Sequence, residues 1–168
     1  MASIFLYPVL SGKRYLNTAE LQTVITLVKL RYPHLMHLDN RIITGIAITE
    51  SGKTLNGQIV VDNQAYRAGG GIDYSLGIMQ LIKPTAEGLK KQHTDLPALT
   101  TYEIDRRVYR DFINPFISLA YGMTLLNDNY SRYKSINDSI KAYNAGSPQH
   151  PAGDVYLSKV LKNMEQYA

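Results

Sequence analysis

The sequence contains no cysteine, which excludes a disulfide framework and any thiolate metal site, so the fold has to be stable in any redox compartment. It also lacks a long hydrophobic run. The nearest approach, Ile42 to Ile48, falls far short of the roughly 20 apolar residues that a membrane-crossing helix needs, and no membrane span is expected. The first ten residues hold an apolar patch without a basic lead-in. Pro8 interrupts them and Lys13-Arg14 follow rather than precede, so they do not read as a signal peptide. Charged residues are sparse at 19%, against 45% hydrophobic, the balance of a soluble globular chain. The net charge of +4 and pI near 9.2 imply mild attraction to polyanions, among them nucleic acids, anionic lipids and bacterial cell wall. A length of 168 residues predicts one domain, residues 1–168, with a core of its own.

Asn17 followed three positions later by Glu20 resembles a capping box, and Leu21, Val24, Ile25 and Val28 then recur at helical spacing up to Pro33, which predicts an amphipathic helix. A second is predicted from near Asp39, through Ile42, Ile43, Ile46 and Ala47, to Ser51-Gly52. Gln58 to Val61 has the β-branched look of a strand and Gly69-Gly70-Gly71 forbids a stable helix, so residues 57–71 are expected to form a short hairpin or irregular loop. Pro84 and Asn114-Pro115 are helix-start signals, the second for a helix running to about Tyr133. Ser135 to Tyr143 reads as a further helix ended by Asn144-Ala145-Gly146, and Asp154 is expected to cap a last one carrying Val160, Leu161 and Met164. No internal repeat is present. The expected architecture is mainly α, with five or more helices, a small β-hairpin or loop insertion, and an exposed cleft.

Glu50 continues the apolar stripe of Ile43, Ile46 and Ala47, so its carboxyl points from the apolar face of its own helix. Desolvation and the negative end of the helix dipole would both favour its protonated form, which is how a general acid is made; a turn to solvent or a pairing with Lys53 is the alternative. In the strip Ser75 to Leu81, Gly77 permits close backbone approach and Met79 and Gln80 offer an apolar and an amide contact. The strip reads either as the lining of a sugar site or as a turn with Met79 in the core. Ala142 to Gly146 on its own is a helix terminator.

Together and in this order, these strips resemble the catalytic domain of soluble lytic transglycosylases, relatives of goose-type lysozyme. The aliphatic-x-x-x-Glu-Ser pattern is met by Ile46 to Ser51, Gly-aliphatic-Met-Gln by Gly77 to Gln80, Ala-Tyr-Asn-x-Gly by Ala142 to Gly146, and the closing Tyr with Val four residues on by Tyr156 and Val160. The resemblance covers roughly residues 39–161. It implies a lysozyme-like fold and cleavage of the β-1,4 bond between N-acetylmuramic acid and N-acetylglucosamine, leaving a 1,6-anhydro sugar. It implies Glu50 as sole catalytic acid and base, Tyr143 as the residue that hydrogen-bonds and orients it, and Ser75, Gly77, Gln80, Asn144 and Tyr156 at the substrate. No metal and no cofactor are implied. The partner would be peptidoglycan glycan strands, and the place of action the bacterial cell wall or periplasm. The absence of an export signal would fit a phage-encoded protein carried in a virion, one that belongs to a secretion apparatus, or one released through a membrane lesion.

The chain departs from the family's pattern in a longer segment between Glu50 and Gly77, and in Ala152, which stands four residues before Tyr156 where many members have a second Glu. A hydrolytic muramidase is the main alternative, for which Asp62 and Asp73 are the available second carboxylates. A non-catalytic glycan-binding or virion structural protein is another. Nucleic-acid binding through Lys90-Lys91, Arg106-Arg107 and Arg110 is disfavoured, since Glu103, Asp105 and Asp111 dilute that patch and no binding motif accompanies it. His34 and His37 lack an obvious third ligand. The triple glycine lacks the Gly-Lys-Ser/Thr ending of a phosphate loop, and Thr49 stands where an esterase elbow around Ser51 would need glycine.

Overall fold

In the computed structural model, which describes residues 12–69 and 73–168, strand β1 (Tyr15–Asn17) leads directly into helix α1 (Thr18–Arg31). The predicted capping box forms. The Asn17 side chain accepts from the Glu20 N–H at 2.8 Å, and Glu20 accepts in return from the Asn17 N–H at 3.0 Å, so two otherwise orphaned donors are satisfied. The readings made for the first ten residues and for Gly70-Gly71 lie outside the described residues.

A 3₁₀ turn (Pro33–Leu35) joins α1 to α2 (Asn40–Ser51), whose start is fixed by the Asp39 carboxylate accepting from the Arg41 N–H at 2.8 Å. Every residue of α2 from Ile43 to Ile48 is buried, so this helix is central. It packs against α6 (Ala152–Tyr167). A Cβ on Gly45 would lie 2.6 Å from Met164 Cγ and 2.9 Å from the Val160 carbonyl oxygen, and only glycine permits that approach of the two helices.

The segment after α2 contains more β-structure than a single hairpin. β2 (Gly52–Leu55) and β3 (Gln58–Asp62) are joined by Asn56-Gly57, both at positive φ (51° and 77°), the geometry that a two-residue hairpin loop demands. β1 pairs with the other edge of β3, Tyr15 opposite Asp62. A second antiparallel sheet follows in the order β4 (Tyr66–Ala68), β5 (Tyr74–Leu76), β6 (Leu81–Ile82). A third, the hairpin β7 (Tyr102–Glu103) and β8 (Val108–Tyr109), has strands too short to show periodicity.

The remaining helices begin at their predicted signals: α3 (Lys83–Gln92) with Pro84 in its first turn, α4 (Pro115–Tyr133) capped by Asn114, and α5 (Ile136–Ala145) capped by Ser135 and closed by Gly146 at φ 77°. Only the start of α6 differs. It begins at Ala152 behind Pro151, whose φ of −56° is already helical. Asp154 therefore sits inside the first turn rather than at the cap, and pairs with Lys141 of α5 at 3.0 Å. Leu119, Ala120, Tyr121, Met123 and Leu126 of α4 are fully buried, in one cluster with residues from every other helix. The expected mainly α, lysozyme-like class with a small β insertion is what the chain forms. No helix among the described residues is long and apolar enough to cross a membrane.

Candidate active site

Glu50 occupies the last turn of α2, only 8% exposed, with its carboxyl in the wall of an open cleft of about 620 Å³. Burial pushes its pKa up to about 7, against the opposing pull of a hydrogen bond from Tyr156 and of the Arg67 positive charge. A group so poised is half protonated near neutrality, as an acid that must give and then recover a proton requires. Lys53, its alternative ion-pair partner, instead lies 5.2 Å from the ring of Tyr15. Ser51 is buried and its hydroxyl donates to the Ala47 carbonyl at 3.0 Å.

The two tyrosines divide their work differently from what the resemblance implied. Tyr156 of α6, not Tyr143, donates to Glu50 Oε2, at 3.2 Å. The Tyr143 hydroxyl donates to the Met79 carbonyl at 2.7 Å, so it ties α5 to the Gly77–Gln80 turn. Both phenols are pushed well above their ordinary pKa, first by burial and then by the neighbouring Glu50, and so remain donors. Removing the Tyr156 hydroxyl takes away a bond that favours the ionised carboxylate. Tyr156→Phe is therefore expected to move the alkaline limb of the pH profile of kcat/KM upward, by on the order of one pH unit, whereas Tyr143→Phe leaves that limb in place. A wild-type limb in Tyr156→Phe would show that the bond has no part in setting the proton affinity of Glu50.

The Ser75–Gln80 strip forms the opposite wall, and its parts do different things. Met79 is fully buried, with its backbone N–H held by Ser118 Oγ at 3.0 Å and its side chain lying where any Cβ on Gly122 would intrude at 2.7 Å. It is a core residue. Gly77 lies at φ 89°, and a Cβ there would stand 2.2 Å from the Phe112 carbonyl oxygen, so glycine is required for backbone reasons rather than for contact with a ligand. Gln80, also at positive φ (52°), donates to the carbonyls of Ala65 (2.8 Å) and Gly77 (2.9 Å) and accepts from Ser75 at 2.6 Å. Its amide is thus spent on shaping the wall it lines. Ser75, Gln80, Tyr143 and Asn144 line the cleft with Glu50, while Gly77 and Tyr156 stand behind its surface.

Two charged residues of the insertion join them. Arg67 and Asp73 both line the cleft, and Arg67 reaches the Glu50 backbone carbonyl at 3.5 Å. Sequence reasoning missed Arg67, since nothing in a strand sequence says which face will meet a helix end. Asp62 lies elsewhere, held by Arg14 Nε at 3.0 Å and accepting from the Gln64 N–H at 2.9 Å, and is not among the lining residues. Past Thr85, Leu125, Asn129 and Arg132 the cleft continues into a groove of about 760 Å³ between α3 and α4, which ends at the His93–Asp128 pair, 2.9 Å apart. The combined trough suits an extended chain more than a compact ligand.

The suspected basic patch is largely used internally. Arg106 and Arg110 approach Glu103 at 3.9 and 3.8 Å, and Arg106 also lies 4.1 Å from the ring centroid of Tyr66. His34 sits edge-on to Tyr32 and His37 beside Tyr130.

The family model of the transglycosylase SLT domain matches residues 34–153, a span that includes Glu50, the Ser75–Gln80 strip and the end of α5. No curated protein and no solved structure matches the chain.

Proposed function

From a chain that belongs to the transglycosylase SLT domain family, we infer a peptidoglycan lytic transglycosylase that uses Glu50 as its only catalytic acid and base. Protonated Glu50 gives its proton to the glycosidic oxygen as the bond to the muramic anomeric carbon breaks. The resulting carboxylate then takes the proton from the C6 hydroxyl of the same muramic residue, whose oxygen closes on the anomeric carbon to form the 1,6-anhydro ring. Attack from within one sugar needs no water, and the high effective concentration of a tethered hydroxyl favours it. One carboxyl suffices because the substrate's acetamido group can stabilise the oxocarbenium-like centre, unlike the usual two-carboxylate scheme.

The observation that carries this reading is the Glu50 carboxyl, buried in the wall of a long cleft and balanced near neutral pH between burial and two groups that favour its charge. In this reading Ser75, Gln80, Tyr143 and Asn144 face the glycan strand, Gly77 and Tyr156 hold the wall and the acid in position, and the whole chain acts as one domain. No metal or cofactor enters any step. Its place of action is the bacterial cell wall.

Hydrolysis on the same fold is the second reading, and it rests on Asp73, the carboxylate that shares the cleft with Glu50; Asp62, paired with Arg14, offers it little. The products distinguish the two. Mass spectrometry of digested sacculi is expected to show fragments ending in anhydro sugar. Fragments ending in a reducing sugar, one water heavier, would replace the transglycosylase with a muramidase and make Asp73→Asn the next variant to assay.

A further inference from the structure

The other side of α2 carries a second concave site. Thr49 and Gly52, which flank Glu50 and Ser51 in sequence, open onto a groove of about 420 Å³ between the β2–β3 hairpin and the C-terminal half of α6. Ile48 and Ile59 form its apolar part, and Lys53, Lys159 and Lys162 bring three ammonium groups to it. Around them stand the amides of Asn163 and Gln166 and the hydroxyls of Thr49, Thr54 and Tyr167, with no Asp or Glu in the lining.

On α6, positions 159, 162, 163 and 166 form one stripe by helical spacing, from which the two acids of the helix, Asp154 and Glu165, are displaced; Asp154 is moreover occupied by Lys141. None of the three lysines has an ion-pair partner among the described residues, where Lys13 and Lys83 each have one. Lys53 is held over the ring of Tyr15 at 5.2 Å, and Asn163 donates to Thr49 Oγ1 at 2.9 Å, so both walls are fixed. Three lysines that line one groove with no acid among its lining residues give it a positive potential. An anion entering the groove would be attracted by all three.

We propose that this groove binds a linear phosphodiester polymer of the kind attached to bacterial cell walls, and so holds the enzyme against its substrate while leaving the catalytic cleft free. A concave site with cations on both walls fits a chain that runs through it. A flat bilayer of acidic headgroups would meet one rim at a time. The proposal rests on the reading of the chain as a wall-cleaving enzyme, but its test does not.

Retention of the full chain on immobilised poly(glycerol phosphate) is the measurement, beside vesicles of phosphatidylglycerol that offer the same phosphodiester in a membrane. Wild type is expected to bind the polymer and to lose about tenfold or more in affinity between about 50 and about 200 mM salt, as three neutralised phosphates imply. Lys53→Gln/Lys159→Gln/Lys162→Gln is expected to lose at least as much at low salt, whereas Lys91→Gln/Lys134→Gln, which removes charge elsewhere, binds as wild type. Equal retention of the triple variant, retention indifferent to salt, or binding to vesicles alone would overturn the proposal. Sacculi stripped of phosphate polymer provide the second arm: the triple variant clears them at the wild-type rate if it is folded. Failure of wild type itself on those sacculi would count against the catalytic reading and not against the groove.

Discussion

Glu50→Gln is expected to reduce cleavage of purified cell walls by about 10²- to 10⁴-fold and, at pH 8, to melt at a higher temperature than the wild type. The two effects share a cause. An amide cannot donate and recover the proton, yet it fits the same site without the cost of burying a charge. Wild-type Glu50 has a pKa near 7 in the fold against 4.5 as the ordinary value. Its burial therefore costs nothing below about pH 4.5, where the carboxyl is protonated in both the folded and unfolded states, and costs increasingly as pH rises toward 7. Above that the penalty levels off at about 3 kcal/mol, equivalent to roughly 10 °C in a domain of this size. Thermal melts of both proteins at pH 4 and pH 8, with turbidity assays beside them, check the pair of effects. Wild-type clearing by Glu50→Gln would remove Glu50 from the chemistry and overturn its assignment as the catalytic acid; a stability gain of equal size at both pH values would show that the carboxyl is not desolvated.

A second large effect is expected where there is no side chain at all. Gly77→Ala should destabilise the fold by about 3–5 kcal/mol, because an L-residue at φ 89° is strained and its methyl would stand 2.2 Å from a backbone oxygen of Phe112. That oxygen belongs to the turn that feeds α4 and cannot move aside as a flexible side chain would. The turn that starts at Gly77 also carries Gln80 and the Met79 carbonyl that receives Tyr143, so residual folded protein should clear walls more slowly as well. Gly88→Ala is the contrasting case: nothing lies within 4 Å of its new methyl, it sits within α3, and a gain of about 0.5–1 kcal/mol is expected. Denaturant unfolding of both variants measures the difference, and a mild effect at Gly77 would mean the turn can rebuild around a side chain.

Most of the helical frame was legible because its signals are local. Asn17 with Glu20, Asn114-Pro115 and the glycine after α5 each act within one turn of chain, and each helix edge they predicted is present. Asp154 misled because a cap is defined by where the backbone first turns helical, and Pro151 turned it earlier. The β-structure was harder. Strands of two or three residues show no period, and the pairing of β1 with β3 joins positions 15 and 62, too distant for any window to connect. The same reason hid part of the site. Glu50 stood out on an apolar stripe and the family strips supplied its neighbours, but which tyrosine reaches it depends on how α5 and α6 lie across α2. Arg67 depended on a strand face.

The sheet that bears Arg67 has two faces with different burdens. Register pairs Arg67 with Ser75, and both look into the cleft. Tyr66 and Tyr74 belong to the opposite face, where Arg106 lies 4.1 Å from one ring and Arg107 6.0 Å from the other, both from the turn between β7 and β8. Such contacts contribute only about 0.5–2 kcal/mol each, and the sheet is held chiefly by Leu76 and Leu81, buried in the common core, and by the bond from Tyr143 to the Met79 carbonyl in the turn between them. The wall that presents Arg67 and Ser75 and the wall that holds Glu50 and its tyrosine are thus anchored in one core. An extended chain lying in the trough would meet two walls at a set spacing, so a substitution that loosens the anchoring of either one is felt on both sides of Glu50.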